Sequence, residues 1–142
     1  MQRSLELGVV GNCTWGGLVD ERARLVWACF PRFDSDPFFP ALLDEREHGA
    51  GSFAIELLDL ASSEQRYEGN TPILVTTLRD RAGSEVEVRD FAPRFQQHGR
   101  FYRPTMLVRR ASASCSSRAA TTAASGRSGR AAATTSASWR RR

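Results

Sequence analysis

The feature that most limits how this chain can fold is a series of short apolar runs separated by turn residues. Residues 73–78 form a continuous aliphatic and threonine run, which is typical of a strand buried on both faces. Residues 85–89 alternate valine with charged residues, which places the valines on one face of a strand. Gly83, in the polar loop between these runs, suits the positive φ of a hairpin loop. The two runs predict an antiparallel β-hairpin.

The same pattern recurs elsewhere in the chain. Residues 15–19 and 25–30 are apolar runs joined by a polar loop of hairpin length. Residues 53–57 alternate as a half-buried strand does, and residues 105–108 begin another strand. The only helical turn that we predict falls within residues 37–44. Short strands at regular spacing predict an all-β fold, an antiparallel β-sandwich that is partial and supersandwich-like.

Charge and composition divide the chain into two parts. Residues 1–90 hold nine arginines and all 16 acidic residues, a net charge of −7, whereas residues 91–142 hold 11 arginines and no acid. After Arg110 there is no Val, Ile, Leu, Met or Phe. Such a segment has little to bury against an ordering cost of roughly 1–2 kcal/mol per residue. We expect residues 4–110 to fold as one domain and residues 111–142 to be a disordered Ala/Ser/Arg-rich tail.

Two interpretations of this tail remain open. All 20 basic residues of the chain are arginine, which indicates a coding sequence rich in G and C. Such a gene read out of frame yields mainly Ala, Arg, Ser, Gly and Thr. The strand that starts at residues 105–108 also stops without a partner. We therefore expect a frame-shifted end, and the alternative is a basic arm that binds nucleic acid by neutralising phosphates.

Several stretches of the chain resemble a known family. The most specific is the string Trp-Ala-Cys-Phe-Pro-Arg-Phe-Asp-Ser at residues 27–35. The other matching stretches are residues 11–13, 18–20, 39, 41–44, 67, 70–71, 74–76, 90–95 and 103–110. Taken in order, they resemble the N-terminal region of bacterial glycoside hydrolase family 15 proteins, the glucoamylase- and trehalase-like enzymes. The resemblance covers residues 4–110.

The resemblance implies an N-terminal β-sandwich, a helical linker and an (α/α)6 barrel. In the family, two glutamates of the barrel hydrolyse α-glucosidic bonds with inversion, which requires carboxylates about 6.5–9.5 Å apart. No acidic residue of this chain matches those glutamates, so we assign no catalytic residue. We therefore expect a non-catalytic N-terminal domain fragment of a glucoamylase- or trehalase-like glycoside hydrolase, inactive by itself. Its expected partner is the missing (α/α)6 catalytic domain.

The loop that follows residues 25–30 carries the candidate site. Arg32, Phe33 and Asp34, together with Trp27 on the preceding run, are candidates for the rim of a sugar site or for a domain interface. The resemblance implies that this loop faces the catalytic barrel, with an α-glucan or trehalose at the domain interface. The alternative is structural: Arg32 and Asp34 pair with each other or cap the following turn, and Phe33 fills the core.

A second candidate surface follows the last acidic residue, where arginines alternate with aromatic residues. Its members are Arg94, Phe95, Arg100, Phe101, Tyr102, Arg103, Arg109 and Arg110. Arginine and aromatic side chains together can stack on single-stranded nucleic acid. Their position within the family-like stretches favours a contact surface toward the missing domain instead.

Other functional classes have little support in the sequence. The spacing of Asp34, Asp36 and Asp44 matches no calcium loop, and no nucleotide-binding or G-x-S-x-G motif is present, so we expect no metal and no cofactor. Three widely spaced cysteines fit neither a disulfide framework nor a zinc site, which indicates a cytoplasmic protein. No apolar run approaches the ~20 residues of a membrane span. The alternative functions are a free-standing carbohydrate-binding or interaction module and, less favoured, a nucleic-acid-binding protein that uses the Arg-rich tail.

Overall fold

The computed structural model describes residues 5–43, 51–114 and 134–137, which form β-strands and one short 3₁₀ turn, Ala41–Leu43. In chain order the strands are β1 (Leu7–Gly11), β2 (Gly16–Asp20), β3 (Leu25–Cys29), β4 (Pro37–Phe39), β5 (Leu60–Tyr67), β6 (Leu74–Asp80), β7 (Glu85–Phe91), β8 (Phe95–Gln97), β9 (Arg100–Tyr102), β10 (Leu107–Ser114) and β11 (Thr134–Ala137).

The strands form two antiparallel sheets and a separate hairpin. Sheet A has the order β1-β2-β3-β4, and sheet B has the order β11-β10-β7-β6-β5. Strands β8 and β9 pair only with each other. The predicted all-β antiparallel fold is confirmed.

The inner faces of the two sheets share one hydrophobic core. Sheet A and its turns contribute Val10, Trp15, Val19, Leu25 and Ala28, and the strands and loops on the side of sheet B contribute Leu74, Ala92 and Leu107. All of these side chains are buried. Because residues from both sheets meet in this cluster, the two layers form the predicted sandwich.

The predicted β6–β7 hairpin is confirmed in detail. Val86 and Val88 of β7 are buried and pack with Leu78 of β6 and with Ala23 in a second core cluster. The first five residues of β6 are all buried, as expected for a strand covered on both faces. Gly83 lies in the connecting turn with φ of 86°.

Three local predictions differ from the structure. Residues 53–57 form no strand: only Phe53 bridges to β3, through Leu25 N to Phe53 O at 2.9 Å and Phe53 N to Leu25 O at 3.1 Å. The predicted helical turn at 37–44 is divided between β4 and the 3₁₀ turn. Strand β5, with the polar sequence LASSEQRY, was not predicted and pairs with β6 along its length.

The last described segments extend sheet B. Strand β10 pairs with β7 on one side and with the backbone of β11 on the other. The expectation that the run at 105–108 lacks a partner is therefore wrong, because β10 pairs back to an earlier strand. The compositional boundary at Arg110 falls inside β10, which continues to Ser114. Residues 115–133 and 138–142 lie outside the described part of the chain, so the disordered, frame-shifted tail stays a prediction.

Side chains of sheet B close the free edge of sheet A. The hydroxyl of Tyr67 in β5 accepts a hydrogen bond from Val9 N at 2.8 Å and donates one to Val9 O at 3.0 Å. Gln65 Nε2 donates to Asp20 O at 3.0 Å. Unpaired strand edges promote aggregation. The Tyr67 bonds therefore satisfy part of the edge of β1, and the Gln65 bond joins β2 to the neighbouring layer.

A buried ion pair connects the two layers on the opposite side. Arg109 Nε and Nη2 donate to Asp90 Oδ1 and Oδ2 at 2.6 and 2.9 Å, and the two side chains are 1% and 0% exposed. Arg109 Nη1 donates to Phe53 O at 2.6 Å, and the guanidinium lies 4.9 Å from the centre of the Phe53 ring. Phe53 in turn bridges to Leu25 of β3. The Asp90–Arg109 pair thus links sheet B to sheet A.

Asp90→Leu is expected to destabilise the domain strongly, because it leaves the Arg109 charge buried without its carboxylate. Removing one member of a buried ion pair costs about 3–5 kcal/mol, whereas replacing both members by apolar residues is often close to neutral. The free energy of unfolding from urea titration should fall by that amount in Asp90→Leu and recover largely in Asp90→Leu/Arg109→Met. Asp34→Leu, in an exposed pair, is the control. A single Asp90 variant as stable as the unmodified chain would contradict this account.

The turn between β6 and β7 is closed by an aspartate. Asp80 Oδ1 accepts a hydrogen bond from Ser84 N at 2.7 Å, and Asp80 N donates to Ser84 O at 3.0 Å. The hydrogen bond from the Ser84 backbone is the main cause that lowers the pKa of the Asp80 carboxyl below its ordinary value of 3.8.

This lowered pKa predicts a pH-dependent contribution of Asp80 to stability. The ionised carboxylate stabilises the folded chain above pH 3.8, and that contribution is lost as the pH falls through the lower folded-state pKa. Asp80→Ala should therefore lower the urea midpoint at neutral pH, and the difference should shrink at pH values below 3.8. Glu56→Ala removes an exposed carboxylate and serves as the control. A difference that stays constant across this range would rule out the carboxylate charge as its source.

Candidate functional site

The loop after β3 is exposed and holds the predicted ion pair. Arg32 Nε lies 2.9 Å from Asp34 Oδ1, and Arg32 Nη2 donates to Asp34 Oδ2 at 3.0 Å. The two side chains are 73% and 70% exposed. The interpretation in which these residues pair with each other is therefore confirmed. A surface pair of this kind contributes little to stability, typically about 0–1 kcal/mol.

Phe33 lies on the surface and not in the core, so the interpretation in which it fills the core is wrong. Its side chain is 62% exposed. Its ring lies against the backbone of Gly16, where a β-carbon would approach Phe33 Cε1 to 2.9 Å. The β-carbon position of the neighbouring Gly17 faces Leu25 and Trp15 in the core. Alternation along β2 therefore places Gly16, and Phe33 with it, on the outer face of sheet A.

Trp27 lies on that same outer face. It is half-buried on β3, where it is the cross-strand partner of Leu18. Leu18 is in turn the partner of Val9 on β1. The three side chains form an apolar row across sheet A. Of the predicted site residues, Trp27 and Phe33 therefore share a surface, and the Arg32–Asp34 pair lies in the loop beside it.

The β8–β9 hairpin forms a second exposed surface. All six residues of its strands are exposed. Its turn consists of His98 and Gly99, with φ of 49° and 72°. Two successive residues with positive φ are what a two-residue type I′ hairpin turn requires. His98 is thus a turn residue.

Three aromatic side chains lie on the hairpin. Phe95 and Tyr102 are cross-strand partners with ring centroids 5.1 Å apart. Phe101 is 61% exposed, and the Arg94 guanidinium lies 5.1 Å from the centre of its ring. Exposed aromatic residues grouped in this way on a soluble surface commonly mark a contact site.

The five arginines of the second candidate surface do not act together. Arg109 is buried in the ion pair with Asp90, so its assignment to a contact surface is wrong. The reason is the alternation of β10, which turns Arg109 inward. Within the described residues, no carboxylate forms an ion pair with Arg94, Arg100 or Arg103. These three remain on the surface around the hairpin.

Asn12 fixes the base of the hairpin, a role that the sequence analysis missed. Its Nδ2 donates to Pro93 O at 3.0 Å and to Pro104 O at 2.7 Å, the carbonyls on either side of the hairpin. Its Oδ1 accepts hydrogen bonds from Thr14 N and Trp15 N at 3.1 and 3.4 Å. Because both the nitrogen and the oxygen of its amide are hydrogen-bonded, the buried Asn12 holds together the β1–β2 turn and the two ends of the hairpin.

The β1–β2 turn brings both candidate surfaces to one end of the sandwich. Arg94 Nη1 lies 3.5 Å from the Sγ of Cys13 in this turn, and Phe33 lies against Gly16 where the turn ends. At the start of the loop the Phe30 ring packs 4.6 Å from Trp15 in the core. We call this region, comprising the turn, the 31–36 loop and the hairpin, the turn end of the domain.

Many acidic side chains among the described residues are paired with arginine. Seven carboxylates lie in ion pairs among the described residues: Asp20, Asp34, Glu64, Glu68, Glu85, Glu87 and Asp90. The hydrogen bond to Glu87 and the charges of Glu87 and Glu68 raise the pKa of Arg89. For Asp80 the pKa is lowered, the opposite of what a general acid requires.

Neither a metal cluster nor a membrane helix occurs in the part of the chain that the structure describes. No three His, Cys, Asp or Glu side chains there are grouped closely enough to hold a metal ion. The helical stretch there is too short to cross a bilayer.

These features define a β-sandwich domain with an aromatic and arginine-rich end. Residues 4–130 match the family model of the trehalase-like N-terminal domain, and the chain belongs to that family. Over 88 residues it is 35% identical to Trehalase 1 of Sulfolobus acidocaldarius, an alignment that covers 61% of this chain and 15% of that protein. The chain thus spans a small part of this relative's length. No solved structure matches it.

Asn12→Ala is expected to loosen the hairpin as well as to destabilise the domain. Losing the amide leaves buried groups unsatisfied, at about 1–3 kcal/mol. Limited trypsin digestion followed by mass spectrometry should release the fragment ending at Arg100 faster, while cleavage after Arg81 in the β6–β7 turn keeps its rate. Asn70→Ala, at an exposed turn, is the control. Unchanged cleavage at Arg100 would contradict the role of Asn12 at the hairpin base.

Proposed function

We propose that this chain is the non-catalytic N-terminal domain of a trehalase-like glycoside hydrolase of family 15. In this proposal, a separate (α/α)6 catalytic domain hydrolyses α-glucosidic bonds with inversion, as part of carbohydrate metabolism. The sandwich docks against that domain and supplies no catalytic carboxylate. Membership in the trehalase-like N-terminal family supports this, as does the similarity to a trehalase over a small part of its length.

The observation that carries the proposal is the concentration of exposed aromatic and arginine side chains at the turn end. Seven acidic side chains in the described part of the domain lie in ion pairs with arginine. An inverting hydrolase instead needs two carboxylates that face each other across the scissile bond. The distribution therefore supports a surface for docking over a hydrolytic centre of the domain's own.

We further propose that the 31–36 loop forms the part of the docking surface nearest the substrate. Phe33 would supply an aromatic platform and Trp27 an apolar support on the same outer face. The Arg32–Asp34 pair is exposed and presents donors and an acceptor that suit sugar hydroxyls. In this arrangement an α-glucan or trehalose would contact the loop at the domain interface.

A reducing compartment suits this domain. Cys13 is exposed and Cys29 is buried, and both are free thiols. Free thiols with no disulfide between them are typical of the cytoplasm. We therefore propose a cytoplasmic location for the parent enzyme.

The proposal is tested by adding the full 142-residue chain to Trehalase 1 of Sulfolobus acidocaldarius from which the matching segment has been removed. We expect the added chain to raise the melting temperature of that polypeptide and its release of glucose from trehalose. The chain alone should release no glucose from trehalose or maltooligosaccharides above the buffer control.

Two results would contradict the proposal. Glucose release by the chain alone would assign it a catalytic centre, and absence of any effect on the truncated trehalase would remove the docking function. A third assay addresses the alternative of a free-standing carbohydrate-binding module. Saturable binding of maltoheptaose by the isolated chain, lost in Trp27→Ala and retained in Arg66→Ala, would favour that module over the docking domain.

A further inference from the structure

The strands of the β8–β9 hairpin form no backbone pairing with either sheet of the sandwich. They pair only with each other, and all their residues are exposed. An isolated two-stranded hairpin is only marginally stable in water. Here Asn12 holds both flanking carbonyls, of Pro93 and Pro104, and thereby fixes the base. The domain thus keeps an exposed arm in a defined position, although the arm adds little to the core.

The side chains of this arm have the composition of an interface. Phe95, Phe101 and Tyr102 are 44%, 61% and 53% exposed. Arg94, Arg100 and Arg103 surround them. Aromatic residues and arginine are enriched at protein–protein interfaces and dominate their binding energy. Phe95 and Tyr102 are direct cross-strand partners, so strand alternation places them on one face of the hairpin and Phe101, with Arg94 against its ring, on the other. Together with Arg100 and Arg103, these exposed side chains form what we call the hairpin surface.

Charge indicates what this surface binds. The three arginines of the hairpin surface form no ion pair with a carboxylate of the described residues, whereas Arg24, Arg79 and Arg89 all do. The first 90 residues carry a net charge of −7, whereas residues 94–103 carry three arginines and no acid. An acidic partner complements the arm, and a neutral sugar would leave its three charges unused.

The ring geometry favours a protein over a nucleic acid. Single-stranded nucleic acids bind by stacking bases on open aromatic faces. The Arg94 guanidinium covers one face of Phe101, and Phe95 and Tyr102 pack against each other at 5.1 Å. The Arg94 contact occupies a ring face that a stacked base would need.

We propose that the hairpin surface docks an acidic, partly apolar protein surface, on the catalytic domain that this sandwich accompanies. This deepens the proposed function and rests on it. Phe101 on one face of the hairpin and the Phe95–Tyr102 pair on the other provide the apolar contacts, and Arg94, Arg100 and Arg103 pair with carboxylates of the partner beside them. Asn12 acts as a positioning residue.

The test uses the full chain with a random glutamate–tyrosine copolymer as the probe of an acidic, partly aromatic protein surface. Binding is measured by biolayer interferometry for the unmodified chain, for Arg100→Gln/Arg103→Gln and for Phe101→Ser/Tyr102→Ser. The matched control is Arg66→Gln/Arg81→Gln, which removes two exposed charges far from the hairpin. The arginines after residue 114 are present in every variant, so they contribute equally. Thermal melts establish that each variant is folded.

Both hairpin variants should bind the copolymer about tenfold more weakly than the unmodified chain, and the control should stay close to it. Raising the salt from about 0.1 M to about 1 M should remove most of the contribution of the arginines. Polyglutamate should bind more weakly than the copolymer, because it lacks the apolar contact.

Three results would overturn the proposal: equal loss in the control variant, equal binding of polyglutamate and copolymer, or tighter binding of single-stranded oligo-dT that depends on the same residues. The last would assign the arm to nucleic acid. The outcome is separable from that of the trehalase experiment. Copolymer binding through the hairpin without any effect on the truncated trehalase contradicts the proposed function alone. A stabilised trehalase with intact binding by the hairpin variants contradicts only the role of the hairpin.

Discussion

The buried pair between Asp90 and Arg109 is the interaction on which the arrangement of the two sheets most depends. Neither charge reaches water, so each needs the other, and Arg109 must also donate its third hydrogen bond to Phe53. That geometry exists only if β7 and β10 pair in one register, because Asp90 and Arg109 are direct cross-strand partners. It also requires the backbone at Phe53 to lie beside β3. One ion pair thereby fixes a strand register and the approach of the layers.

The strands that could be predicted from the sequence are those whose residue pattern shows whether one or both of their faces are buried. Strands β6 and β7 combine aliphatic runs or strict alternation with a glycine turn, and both were placed correctly. Strand β5 was not predicted, because its Ser, Glu and Gln residues have no strand pattern. It forms because the edge of β6 is open for pairing along its length. The alternation at 53–57 predicted a strand in error, since only Phe53 finds a backbone partner. Pairing across the fold overrode local preference in both cases.

The site was predictable in its residue types but not in its contacts. Alternation already places Asp90 on the same face of β7 as Val86 and Val88, and a carboxylate there needs a cation. Which of 20 arginines supplies it depends on the pairing of β10 with β7. The role of Asn12 depends likewise on carbonyls more than 80 residues away in sequence, which no local pattern reveals.

The contrast between buried Arg109 and the three exposed arginines of the hairpin surface has a simple physical origin. Arg109 lies on a strand covered by a second sheet, so burial makes an ion pair obligatory and turns the residue into a structural element. Arg94, Arg100 and Arg103 flank or lie on a hairpin that no sheet covers, so water solvates them and no intramolecular partner is needed. A charge that folding does not require is free to serve recognition. The same residue type therefore stabilises the sandwich where the layers meet and remains available for binding where they end.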